Sequence, residues 1–87
     1  MVFSVGGGTE EVSKPLVEAV KYATEHSMPV LGIVGRDGGY TKRHGSAVVL
    51  IPTLSKELVT PHTEAMQMVV VHCLVSHPTI QRRPTKW

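Results

Sequence analysis

Apolar residues fall into two kinds of run along this chain, and the alternation of the two sets out its elements. Val2-Phe3-Ser4-Val5 is a short apolar segment halted by Gly6, Gly7 and Gly8, the signature of a buried strand running into a turn. From Ser13 to about His26 the apolar positions Leu16, Val17, Ala19, Val20 and Ala23 recur at helical spacing. Ser13 stands where an N-cap belongs, and Pro15 falls in the first turn, where its missing N–H costs nothing. The helix is expected to end between Glu25 and Ser27, ahead of Pro29. Val30-Leu31-Gly32-Ile33-Val34 and Ala47-Val48-Val49-Leu50-Ile51 read as two further strands, closed by Gly35-Arg36-Asp37-Gly38-Gly39 and by Pro52. Their apolar runs are continuous rather than alternating, which predicts burial on both faces, as in a parallel sheet covered by helices. A second helix opens at Thr60-Pro61, with Thr60 as N-cap and Pro61 at its first position, and runs to about Ser76.

The predicted order is β-α-β-β-α, an α/β fold with a partial doubly wound parallel sheet. Between Gly35 and Gly45 there is room for little more than a loop or one helical turn. A parallel crossover ordinarily takes a dozen or more residues, so the pairing of the third strand is the open point of the topology.

Composition narrows the function classes. The 87 residues are 41% hydrophobic and 18% charged, in the range of a soluble globular protein of at most one domain. A net charge of +2 is too small to argue for nucleic acid or a membrane surface. Arg82, Arg83 and Lys86 gather near Trp87 at the C-terminus, a run read as a solvated tail. The single cysteine, Cys73, excludes an intrachain disulfide and fits a reducing, cytoplasmic setting. Gln67 and His72 interrupt the apolar stretch from Met66 to Val75, so no membrane span is expected there. The first residues lack the basic region and long apolar core of a secretory signal.

Two places carry candidate chemistry. At the glycine hinge, a strand-glycine-helix junction lets bare N–H groups and a helix dipole face an anion, and Thr9 and Ser13 can add hydroxyl donors. The spacing matches neither a dinucleotide fingerprint nor a P-loop, and a run of glycines also serves as a plain turn. In the second helix, Glu64, Gln67, Met68, Val71, His72 and Val75 share one broad face at 3.6 residues per turn. Glu64 and His72, eight residues apart, are separated by roughly 12 Å along the axis. Both can line a cleft, but one metal would need a ligand from another segment or subunit. Gln67 and His72 have the alternative role of hydrogen-bonded polar groups in a helix interface. His44, His62 and His77 read as surface residues, and His26 suits a helix C-terminus.

The blocks FSVGGG, VLGIVGRDGGYT, a strand ending in IP, TEAMQ-x4-H and SHP…PTKW together resemble the second half of the sugar isomerase (SIS) domain, phosphoheptose isomerases above all. The resemblance spans essentially the whole chain. It implies half of a three-layer sandwich over residues 1–78, with 79–87 as a C-terminal tail. By position it implies phosphate binding at Ser4, Val5, Gly6 and Ser13. Only Ser4 and Ser13 keep a hydroxyl and the loop is longer, with Thr9 among the extra residues. Binding is therefore expected to lean on the backbone N–H groups of Gly6, Gly7 and Gly8. Glu64 matches a family glutamine ligand and His72 the family histidine that acts as base or zinc ligand. The resemblance thus implies His72 and Glu64 as catalytic residues and as the ligands of a possible zinc ion.

Aldose–ketose isomerisation moves a proton between adjacent carbons through an enediol, and imidazole and carboxylic acid suit its base and acid roles. The family's N-terminal half, with a second phosphate loop and a catalytic glutamate, has no counterpart in this sequence. A homo-oligomer, or association with such a half, is expected to complete the site. Three readings follow: an isomerase of a phosphorylated seven-carbon sugar or its site-bearing half, a non-catalytic sugar-phosphate-binding module, and a structural remnant whose polar helix face packs on another subunit.

Overall fold

A computed structural model describes residues 1–83. The elements in chain order are β1 (Val2–Ser4), α1 (Lys14–Glu25), β2 (Leu31–Val34), α2 (Gly39–His44), β3 (Ala47–Leu50) and α3 (Val59–Ser76). The three strands form one parallel sheet in the order β1-β2-β3. Val2 to Ser4 pair with Gly32 to Val34, and Leu31 to Val34 with Ala47 to Leu50. The chain is an α/β protein, and the third strand joins the sheet in parallel.

The segment expected to hold little more than a loop or one helical turn contains the six-residue α2. Its start, Gly38-Gly39, has no periodic apolar signal, and Gly38 enters the helix through a left-handed turn that glycine adopts freely. Twelve residues separate Val34 from Ala47, just enough for a parallel crossover.

Side-chain alternation along the strands decides which helix lies on which face. A Cβ on Gly32 would meet Thr41 of α2 and Val48 of β3. Val2, in register with Gly32, shares a hollow with Ala19, Val20 and Ala23 of α1. Phe3 points to the other face and lines a groove with Met68 and Val71 of α3. So α1 and α2 cover one face of the sheet and α3 the other.

The buried apolar core is Val17, Val20, Val30, Ile33, Val34 and Ile51, centred on β2. Burial on both faces, expected of all three strands, holds only for β2. Phe3 is 50% exposed, and Val49 and Leu50 also reach solvent, because β1 and β3 are both edges and α3 runs chiefly over β2.

Helix boundaries shift for local reasons. Ser13 does occupy the N-cap position of α1, yet it sits at φ 58°, in the left-handed region, and its side chain makes no capping bond. The α3 helix starts at Val59 with Leu58 as N-cap, which moves Pro61 to the third helical residue. That position is still in the first turn, where a missing N–H goes unpunished. No helix among the described residues is long and apolar enough to cross a membrane. Arg82 and Arg83 are exposed, as the solvated-tail reading requires, while Lys86 and Trp87 lie outside the described residues.

Candidate functional site: a cleft at the carboxyl ends of two strands

Two glycine loops hold each other at the carboxyl ends of β1 and β2. The hydroxyl of Ser4 accepts from Gly7 N–H at 3.0 Å, which turns the chain back as β1 ends. The carbonyl of Gly7 accepts from Thr41 N–H at 3.0 Å and from Thr41 Oγ1 at 2.8 Å, and the carbonyl of Gly8 from Tyr40 N–H at 2.8 Å. On the other loop, Asp37 Oδ1 accepts from Gly39 N–H at 3.0 Å and Gly35 N–H donates to Val5 O at 2.9 Å. The backbones pass in contact. A Cβ on Gly7, at φ 73°, would fall on the Gly38 carbonyl, and one on Gly39, at φ 52°, would lie 2.6 Å from Gly8 O. The glycine run therefore serves first to let one loop lie on the other, which neither the plain-turn nor the anion reading anticipates.

Above this junction lies a cleft of about 540 Å³. Its lining includes Ser4, Val5, Gly6, Gly8, Thr9 and Ser13 from the first loop, with Arg36, Asp37 and Thr60. Six of the seven residues expected to bind phosphate are thus brought together. Gly7 is the exception: its N–H donates to Ser4 Oγ and its carbonyl accepts from Thr41, so both are engaged inside the junction. Among the described residues, no acceptor is found for the N–H groups of Gly6 and Gly8. Ser4 uses a lone pair on Gly7 and keeps its O–H hydrogen to donate. Thr9 is engaged in its own turn, its Oγ1 accepting from Val12 N–H at 2.9 Å. Ser13 and Thr60 bring the starts of α1 and α3 to the same cleft, where helix dipoles favour negative charge.

Arg36 and Asp37 were missed as site residues because GRDGG was read as a loop that closes a strand. A charged pair set among glycines at a strand's carboxyl end was the available signal. Arg36 takes the left-handed conformation at φ 51°, uncommon for a long side chain. It also lines an adjoining hollow of about 500 Å³ with Asp37, Thr53 and Lys56. Among the described residues the ion pairs all belong to Lys21, 3.7 Å from both Glu10 and Glu18. These two carboxylates, Glu10 foremost, hold the Lys21 ammonium above its ordinary lysine range. The pairing draws Glu10, which follows the glycine loop by two residues, toward α1.

Glu64, Gln67 and His72 of α3 do not line this cleft. Gln67 is buried, and its Nε2 donates to Ile33 O at 2.7 Å and Ser4 O at 3.1 Å, a strap between α3 and the sheet. Its role is the interface hydrogen bonding expected as one alternative. Glu64, Gln67, Met68 and Val71 do share a groove with Phe3, of about 270 Å³, but His72 is exposed and does not line it. The broad face read from the sequence is therefore divided. Among the described residues no three His, Cys, Asp or Glu side chains converge to hold a metal ion. Zinc sites take three or four protein ligands. Glu64 and His72 of one chain do not fit that requirement alone. His44, His62 and His77 are exposed as expected, and His26 caps α1, its Nδ1 donating to Tyr22 O at 2.8 Å.

Comparison of the chain with protein-family models, with curated proteins and with solved structures finds no match.

Proposed function

We propose that the cleft binds a phosphorylated sugar, and that residues 1–78 are the site-bearing half of a sugar isomerase (SIS) fold, a partial doubly wound sheet. The observation that carries this reading is the convergence on one cleft of Gly6 and Gly8, whose N–H groups have no acceptor among the described residues, with Ser4, Ser13 and Arg36. Neutral donors in a fixed loop, two helix starts and one cation form a set suited to a phosphate. The Asp37 carboxylate, anchored on Gly39, would repel a phosphate placed against it but accepts bonds from sugar hydroxyls. Ligand polarity follows: phosphate toward Gly6, Gly8 and Ser13, hydroxyls toward Asp37.

A second reading, a sugar-phosphate-binding module without turnover, is favoured by the position of His72. An isomerase needs a base within hydrogen-bond reach of the carbon acid's proton. His72 is exposed on α3 and does not line the cleft, so turnover requires a second chain to bring such a group.

The test is calorimetric titration of sedoheptulose 7-phosphate into the full chain, with and without zinc, alongside Arg36→Ala and Ser13→Ala. Binding is expected, weakened by about tenfold to a hundredfold in Arg36→Ala, the range for loss of a charged hydrogen bond. No heat of binding from a folded chain would overturn the reading and leave the structural-remnant alternative. Where binding holds, a turnover assay separates the remaining two: an isomerase loses turnover in His72→Ala while keeping its affinity, and a binding module shows no turnover to lose.

A further inference from the structure

The hollow of about 500 Å³ beside the cleft shares Arg36 and Asp37 with it and adds Thr53, Lys56 and Val59. Thr53 and Lys56 belong to the connection from β3 to α3, and Arg36 and Asp37 to the one that follows β2. Both connections leave the carboxyl ends of their strands, where open α/β sheets collect ligands. The charge of this hollow is not balanced from within. Arg36 and Lys56 bring two cations to it against the carboxylate of Asp37, one oxygen of which is already held by Gly39 N–H. Glu57, next to Lys56 in the chain, accepts from Ser55 Oγ at 3.2 Å and does not line the hollow. Among the described residues neither Arg36 nor Lys56 has an ion-pair partner.

We propose that this hollow is a second anion subsite, and that the ligand of the two hollows together is a sugar phosphorylated at both ends. The site rests on the sugar-phosphate reading of the first cleft and gives it a second charge. One phosphate lies toward Gly6, Gly8 and Ser13, the hydroxyls meet Asp37, and the second phosphate is held by Lys56, Arg36 and the Thr53 hydroxyl. Asp37, common to both hollows, decides between kinds of double anion. A polyol between the phosphates puts O–H donors against its carboxylate, whereas pyrophosphate crowds two adjacent anionic groups onto it. The second phosphate also separates binding from turnover. In a ketose whose first carbon carries a phosphate ester, the enediol cannot collapse to an aldehyde. Such a ligand is held and not isomerised, in keeping with a binding module.

Calorimetric titration of the full chain with sedoheptulose 1,7-bisphosphate, sedoheptulose 7-phosphate and inorganic pyrophosphate tests this, on the native protein, Lys56→Ala and Lys56→Arg. Lys56 is exposed and does not line the first cleft, and circular dichroism checks that each variant is folded. The bisphosphate is expected to bind at least about tenfold more tightly than the monophosphate, the gain from a further charge-assisted contact. Pyrophosphate should bind more weakly than either sugar. Lys56→Ala should bring the bisphosphate to within about threefold of the monophosphate and leave the monophosphate unmoved, while Lys56→Arg keeps most of the gain. A monophosphate that binds as tightly as the bisphosphate would overturn the second subsite and leave the first cleft standing. So would a bisphosphate advantage that survives Lys56→Ala, which would place the second phosphate elsewhere. Pyrophosphate that matches the bisphosphate would refute the sugar between the two charges. If neither sugar binds the folded chain, the sugar-phosphate reading itself fails and takes the second subsite with it.

Discussion

Gly6 and Gly7 are neighbours of one residue type under opposite constraints. A Cβ on Gly6 would meet only Arg36 Cδ, at 3.7 Å, an ordinary contact, whereas one on Gly7 would strike the Gly38 carbonyl from a left-handed backbone. Gly7→Ala is therefore expected to cost at least about 2 kcal/mol in urea unfolding, and Gly6→Ala less than about 1 kcal/mol. Equal losses would mean that the two glycine loops do not pass in contact. The sequence made the hinge visible but not this division of labour, because three consecutive glycines look alike until the opposing loop is known. Likewise Ser4 and Ser13 were legible as hydroxyls near a helix start. That Ser4 spends a lone pair on Gly7, and that Ser13 turns left-handed without capping, depends on backbone angles that no residue identity dictates.

At the scale of elements, the three strands and the two long helices were legible within a residue or two, since each is a run of apolar side chains with punctuation at its ends. The short α2 was legible only as one of two alternatives, a loop or one helical turn, and the C-terminus of α1 hides a motif of its own. There Met28 N–H donates to Ala23 O at 2.8 Å and Ser27 N–H to Thr24 O at 3.2 Å, with Ser27 at φ 55°. This is the Schellman pattern with serine where glycine is favoured. Ser27→Gly is expected to raise stability by about 1 kcal/mol, read as a higher urea midpoint, because it removes the Cβ penalty of the left-handed turn. A lower midpoint would show that the turn is not held as described. On the other face, Gln67 bonds two strand carbonyls at once, and Gln67→Leu keeps its bulk while removing both donors. A loss of about 1–3 kcal/mol is expected, the cost of buried acceptors left unpaired. A neutral outcome would mean that α3 rests on the sheet by apolar contact alone.

For the whole molecule, the question is what such a thin core can support. Among the described residues six apolar side chains are buried, and the radius of gyration is 14.0 Å, against about 12 Å for a closed domain of this length. The short axis is 16 Å, and the sheet is open at both edges. A chain of this size buries a small share of its surface and is marginal alone. Association that covers exposed apolar side chains adds burial that one chain lacks, so the homo-oligomer expected from the sequence should link folding to association, which for a dimer sets the native dimer in equilibrium with two unfolded chains. Tenfold dilution then removes about 1.4 kcal/mol per dimer, or about 0.7 kcal/mol per chain. For a domain of this length that lowers Tm by roughly 3–6 °C for each tenfold dilution. Thermal scans followed by circular dichroism over a hundredfold range of concentration would read this directly. A native Tm that stays flat would mean that the core on β2 suffices by itself.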